Sequence, residues 1–498
     1  MPFDTLGQLF IIPAFGRYMS ESSRAYRELV RHVRENDIGG VIWFQSNVYE
    51  TAFINAQLQS IAKEKLLISA DLEAGIGMRF PEATWWPSAM AIAATGDVAL
   101  AEAQGRITAR DAMLLGIDHV LAPVCDVNVD PRNPVINTRS FGEDPHDVAR
   151  YVTAFINGVQ SEGALATAKH FPGHGDTHVD SHLTLPVLEV DRARLDRIEL
   201  VPFRAAVEAG VASVMIGHLS LPSIDPAPAT ISKTIIDILR RDLGFDGLVV
   251  TDAFDMGGIA SHFDAGEAAV RAIEAGEDQI MLSADTDGAI AGVRDAVRSG
   301  RITRSRIDES IERIMAAKKR IRGRVASQEE IFRSLDCAEH VAIAEDIARR
   351  AITLVRDDRG LLPLRSDNIT AVVVSDFPEE NPLADAVRDL KPRSVFMLDA
   401  RSRDDEAETI DGDVIVLLLA LRAKSYAGRI ALPPAAKRLA ERHAAKTVAV
   451  SFGSPYIARE LEFVRTFVCA YGIQPVMQTA AIRVLRGADA PGVLPVSL

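Results

Sequence analysis

The stretch GLVVTD, residues 247–252, holds three apolar residues in succession and ends on an acid. It lacks the alternation of a half-covered strand, so both faces of the strand it forms must be buried. Seven more runs of this kind lie within the first 320 residues: LFIIPAF (9–15), GGVIWF (39–44), LLISAD (66–71), HVLAPVCD (119–126), ALATAKH (164–170), VASVMIGH (211–218) and QIMLSAD (279–285). The segments between them, such as RAYRELVRHVREN (24–36) and residues 196–210, place apolar residues three and four apart, which predicts amphipathic helices. Eight doubly covered strands alternating with helices predict a (β/α)8 barrel of TIM type, an α/β fold, over residues 1–321.

Six of the eight runs end on a polar or ionisable residue: Asp71, Asp126, His170, His218, Asp252 and Asp285. In such a barrel the C-terminal strand ends converge on the face that carries the chemistry. Any one of the six could instead cap the following helix. Together they predict one polar, acid-rich cleft.

The charged stretch 322–351 reads as a helical linker. After it the pattern restarts with AVVVSDF (371–377), SVFMLDA (394–400), DVIVLLLAL (413–421), TVAVSFG (447–453) and TFVCAYG (466–472). Five parallel-type strands with helices between them predict a smaller α/β sandwich domain over 352–498 with a mostly parallel sheet.

Composition narrows the partners. The 498 residues are 48% apolar and 25% charged, ordinary values for a soluble globular protein, and carry a formal net charge of −14. Nucleic acid is excluded as the main partner, because binding it takes a concentrated basic surface. Cys125, Cys337 and Cys469 lie far apart and form no CxxC pair, which excludes a zinc ribbon and a disulfide scaffold. The opening MPFDTLGQLF has no basic leader, and the longest apolar stretch, from Val414, is well short of the ~20 residues a spanning helix needs. These features predict a soluble cytoplasmic protein with no membrane partner, no metal and no cofactor. Whether it forms a homodimer is left open.

The segment AKHFPGHGDTHVDSH (168–182) is the richest in chemistry. It holds His170, His174, His178 and His182, four of the eleven histidines, at four-residue spacing. On a helix they would form a metal stripe, as in a zinc hydrolase, but Pro172, Gly173 and Gly175 disfavour a helix there. An extended active-site loop is the better reading. In it Asp180 and His182, two residues apart, point the same way, and a carboxylate beside an imidazole makes a general acid/base.

KHFPGHGDTHVDSH closely resembles the signature of glycoside hydrolase family 3, in its β-N-acetylglucosaminidase branch. The resemblance implies that His182 is the general acid/base and Asp180 its assistant. Further segments resemble the family in the same order along the chain. ISADLEAGIGMRF (68–80) resembles the family's DQEGGRVQRF motif, with Ala74 and Ile76 replacing a glycine and an arginine, and places Asp71 and Arg79 on the sugar. APVCDVNVDPRNPVINTRSFGEDP (122–145) places Arg139 there. GFDGLVVTDAFDMGGI (244–259) makes Asp252 the nucleophile, with Ala253 where an aspartate is common. GLLPL (360–364) and SFGSPY (451–456) resemble the appended α/β domain of larger members.

The combined expectation is a retaining exo-β-N-acetylglucosaminidase acting on a small carbohydrate with terminal GlcNAc, from cell-wall muropeptides or chitooligosaccharides. Asp252, His182 and Asp180 form its catalytic set, and Asp71, Arg79, Arg139, Lys169 and His170 grip the sugar. Asp255 is a rival nucleophile better placed to start a helix. Trp85 and Trp86 fit packing better than stacking on sugar. A phosphorylase using phosphate as acceptor and a non-catalytic GlcNAc-binding protein are the alternatives.

Overall fold

The computed structural model describes residues 3–15, 19–177, 185–254, 263–376, 381–423 and 430–498. They fall into two compact units. The first comprises residues 1–85, 101–127 and 145–337, and the second 86–100, 128–144 and 338–498.

In the first unit the eight apolar runs become eight parallel strands: β1 (Phe10–Ala14), β2 (Gly40–Trp43), β3 (Leu67–Ala70), β4 (His119–Val120), β5 (Leu165–Phe171), β6 (Ser213–Ile216), β7 (Leu248–Thr251) and β8 (Ile280–Met281). Each strand from β1 to β7 pairs with the next, and β8 pairs with β1. Val250 bridges in parallel to Gln279, the residue before β8, and the Thr251 N–H donates to the Gln279 carbonyl at 3.1 Å. These contacts bring the last strand back to the seventh and round off the barrel. β5 is buried at every position, as expected where helices cover the outside of a filled barrel.

Short polar side chains set the helix starts. Asn47, Asp191, Asp264, Asp285 and Thr303 each accept a first-turn backbone N–H. Asp285 is thus one strand-end acid that caps a helix, accepting from Gly288 N–H at 3.0 Å, and it is exposed.

His119 of β4 lies between Ser69 Oγ and Thr167 Oγ1, each at 2.9 Å, and so ties β3, β4 and β5 together. Burial pushes its pKa down to about 4, so the ring is neutral at pH 7.

The second unit carries a six-stranded sheet of β9 (Thr353–Asp357), β10 (Ile369–Ser375), β11 (Ser394–Leu398), β12 (Val414–Ala420), β13 (Thr447–Ser451) and β14 (Thr466–Cys469). Its order is β9-β14-β13-β12-β10-β11, and only β9 runs antiparallel. Five of these strands are the five apolar runs, and β9 is an addition at the edge. Two segments from early in the chain complete this unit. Asn128 Nδ2 donates to the Tyr456 hydroxyl at 2.9 Å, Asn137 Nδ2 lies 3.1 Å from Ser454 Oγ, and Val493 N–H donates to the Ala94 carbonyl at 2.9 Å. Trp86, 1% exposed, packs here. The helix Gln328–Ser334 belongs to the first unit and Ala338–Ala351 to the second, so the divide falls inside the charged stretch. No helix among the described residues is long and apolar enough to cross a membrane.

Candidate active site

The tip of β3 delivers Asp71. Four residues later Gly75, at φ +73°, turns the chain into the short 3-10 turn Ile76–Met78, which brings Arg79 back over the strand end. Arg79 Nη2 meets Asp71 Oδ2 at 2.7 Å, and its guanidinium lies over the Phe44 ring, 5.5 Å from the centroid. The tip of β5 delivers Lys169, which is 1% exposed. Its Nζ stands 2.7 Å from both Asp71 Oδ1 and Glu73 Oε1.

Two cations and two carboxylates thus form one network, in the order Arg79–Asp71–Lys169–Glu73. Burial alone would raise the Asp71 carboxyl. Lys169 and Arg79 outweigh it and hold the group at about 2. Asp71 is ionised at neutral pH, and its side chain keeps 20% exposure. A fixed acceptor flanked by charged donors suits the hydroxyls of a sugar.

His170 follows Lys169 directly. The β5–β6 pairing shifts register between Ala168 and Phe171, and the two consecutive side chains reach different acids. His170 Nδ1 lies 2.8 Å from Oδ2 of Asp126, which is wholly buried at the end of the fourth apolar run. Asp126 Oδ1 accepts the backbone N–H of His174 at 2.7 Å and that of His170 at 3.3 Å. One carboxylate therefore orients a ring and pins the start of the following loop. Burial lowers the pKa of His174 to about 4, and its Nδ1 lies 2.8 Å from Thr177 Oγ1.

β7 carries Asp252, which is partly exposed. Its N–H donates to the Ile216 carbonyl at 2.9 Å, and its Oδ1 accepts the Ala253 N–H at 2.8 Å. His218, at the end of the sixth run, lies with Nε2 2.8 Å from the Ala253 carbonyl, which can only accept. That nitrogen carries a proton, and Nδ1 lies 3.0 Å from the Thr230 hydroxyl. Burial works to raise the Asp252 carboxyl, but His170, His218, the Ala253 N–H and Lys169 together leave it below its ordinary value.

Of the residues singled out from sequence, Asp71, Arg79, Lys169, His170 and Asp252 stand at the strand tips of the first unit. Arg139 lies in the second unit, where its Nη1 donates to the Val135 carbonyl at 3.0 Å. Asp180, His182, His178 and Asp255 lie outside the described residues. Among the described residues no three His, Cys, Asp or Glu side chains are grouped to hold a metal. Glu73 was not anticipated as a partner of Lys169, and the strand-end signal had flagged Asp126 and His218 without giving them a task. Ile76, at the position of a family arginine, is 1% exposed and packs inward.

This geometry can be set beside known proteins. The family model "Glycosyl hydrolase family 3 N terminal domain" matches residues 4–317. The β-N-acetylglucosaminidase/β-glucosidase of Cellulomonas fimi is 33% identical, covering 90% of this chain and 86% of that protein. The β-hexosaminidase A of Pseudoalteromonas piscicida is 34% identical over 69% of this chain and 63% of its own length. A solved glycoside hydrolase family 3 β-N-acetylglucosaminidase from Paenibacillus superposes with a TM-score of 0.90 at 32% identity, covering 100% of this chain and 99% of that one. With the barrel, the acid-rich mouth and this likeness along nearly its whole length, the chain belongs to glycosyl hydrolase family 3 and is a glycoside hydrolase.

Proposed function

We propose that the protein is a retaining exo-β-N-acetylglucosaminidase that removes a terminal β-linked GlcNAc. The observation that carries this reading is the Asp252 carboxylate, partly open at a strand tip, held below its ordinary pKa and fixed in orientation by the Ala253 N–H. The names of the Cellulomonas and Paenibacillus relatives support GlcNAc as the sugar.

Retention needs two displacements at one carbon. In the first, an Asp252 oxygen bonds to the anomeric carbon as the glycosidic bond breaks, and the leaving oxygen takes a proton from His182. In the second, His182 takes a proton from water, the water oxygen bonds to the same carbon, and the bond to Asp252 breaks. Asp180 fixes the His182 tautomer and supports its charge. An imidazole titrates near neutral pH without a raised carboxyl, so one side chain serves in both steps. Asp71 accepts from sugar hydroxyls, while Arg79, Lys169 and His170 supply polar contacts around it. Arg139 joins them on its motif alone. Cell-wall muropeptides or chitooligosaccharides in the cytoplasm are the substrates we assign, with residues 1–321 as the catalytic domain, 322–351 as linker and 352–498 as the appended domain.

The test is Asp252→Ala together with covalent trapping. The variant should lose at least on the order of 10⁴-fold in kcat on an aryl β-GlcNAc. A fluorinated GlcNAc donor should label the wild type on the peptide containing Asp252. A label on another side chain, or near wild-type turnover in the variant, refutes the proposal.

A further inference from the structure

An ionic cluster that the sugar chemistry does not use joins the two stems of the histidine loop. Arg194 Nη2 holds Asp176 Oδ2 at 2.9 Å and Glu199 Oε1 at 3.2 Å. Asp176 lies on the incoming stem, six residues before His182. Arg194 lies on the outgoing side, in the helix Arg192–Arg197 that Asp191 caps.

Both stems have further ties. On the incoming one, His174 N–H is bound by Asp126, and the Thr177 hydroxyl donates to the His174 carbonyl at 3.1 Å. On the outgoing one, Leu188 N–H donates to the Ser220 carbonyl at 2.8 Å and Ser220 N–H to the Pro186 carbonyl at 2.9 Å. The Arg194–Asp176 pair links one stem to the other.

Glu199, 2% exposed, is the buried end of this clasp. Its Oε2 and Arg194 Nε have no hydrogen-bond partner among the described residues. A buried carboxylate is retained at a cost unless a cation meets it. The incoming stem runs hard against it: a Cβ on Gly173, where φ is +132°, would stand 2.8 Å from the Glu199 Cβ. Glu199 therefore fixes Arg194, and Arg194 fixes Asp176. Asp176, six residues before His182, is thereby tied to the helix Arg192–Arg197.

We propose that Arg194 is a positioning residue for proton transfer, acting through Asp176 on the loop that bears His182. The proposal rests on the assignment of His182 as acid/base, and the experiment separates the two. Arg194→Met, Arg194→Lys and His182→Ala are compared on aryl β-GlcNAc substrates graded from 2,4-dinitrophenol, which leaves without a proton, to simple phenol, which needs one.

Loss of a general acid costs roughly 10²–10⁴-fold where the proton is needed, and in kcat/KM, which reports the first displacement and not the later attack of water that His182 also assists, His182→Ala should show that loss only on the poorer leaving groups. Arg194→Met should show the same gradient at smaller amplitude, about 10- to 100-fold on the phenyl substrate and under about 3-fold on the dinitrophenyl one. Arg194→Lys should recover part of it. Should Arg194→Met melt below the assay temperature, Asp176→Asn, which keeps the guanidinium on Glu199, is read the same way. A uniform loss across the series, or none, in the Arg194 and Asp176 variants beside a graded His182→Ala overturns the positioning role alone. A flat His182→Ala profile overturns the acid/base assignment and this proposal with it.

Discussion

Replacing Lys169 by Met removes the ammonium shared by Asp71 and Glu73 and keeps most of the side-chain volume. The structure sets the size of the effect. Asp71 stands at about 2 against an ordinary 3.8, held there by Lys169 and Arg79 against burial. A shift of that size is worth about 2.5 kcal/mol at neutral pH. The variant loses most of this and leaves Glu73, whose side chain is 9% exposed, beside a second carboxylate with Arg79 as the remaining cation of the network. Breaking a buried pair from one side costs about 3–5 kcal/mol.

For a unit of roughly 300 residues, that loss lowers the thermal transition by about 5–8 °C. The pH dependence gives a second check. A carboxyl with a depressed folded-state pKa contributes its stability fully above the unfolded value, here 3.8, and loses it as pH falls through about 2. In the variant the Asp71 carboxylate takes up its proton at higher pH, which relieves its repulsion with Glu73. The deficit should be largest at pH 7 and shrink below about pH 4. Calorimetry on both proteins at pH 7, 5 and 3.5 measures it. Equal stability at pH 7, or a deficit of the same size at pH 7 and 3.5, refutes the reasoning.

His119 acts with the same sign over a higher pH window. Its folded-state pKa, about 4 against 6.5, lies below the unfolded one, so stability falls as pH drops from 6.5 and the full cost is reached below 4. The difference is about 3 kcal/mol, and His119→Gln should remove that part of the slope; an unchanged slope in urea titrations would count against it. Because Asp252 is held below 3.8, the acid limb of kcat/KM in brief initial-rate assays should lie under pH 3.8, and a limb at pH 5 would exclude Asp252 as its source. Gly173→Ala places a Cβ against Glu199 at positive φ and should cost about 1–3 kcal/mol, so a variant with wild-type thermal stability would show that the stem can shift freely.

Much of the barrel was legible because its strands are buried on both faces and therefore lack polar interruptions. HVLAPVCD shows where the reading was too long. Only His119–Val120 are regular strand and Pro123 has no N–H to give, although Ala122 and Pro123 still accept the Thr167 and Lys169 N–H groups and Val124 bridges to Lys169. TLVRD (353–357) was illegible for the converse reason. It is an antiparallel edge strand, half exposed, and Arg356 and Asp357 erase the apolar run.

At the mouth, strand tips flagged Asp71, Asp126, His170, His218 and Asp252, and the same signal wrongly included the helix cap Asp285. Nothing along the chain showed that Lys169 would pair with Glu73, because that contact joins residues almost a hundred positions apart.

The two early segments bound into the second unit mean that the chain is shared between the units in six alternating pieces. No single cut releases either one. A fragment ending at residue 337 would strip Asn128 and Asn137 of their Tyr456 and Ser454 partners, while one starting at 338 would lack the strand-to-helix excursions that complete its core. Grafting the C-terminal half onto a foreign barrel would succeed only if residues 86–100 and 128–144 were transplanted with it.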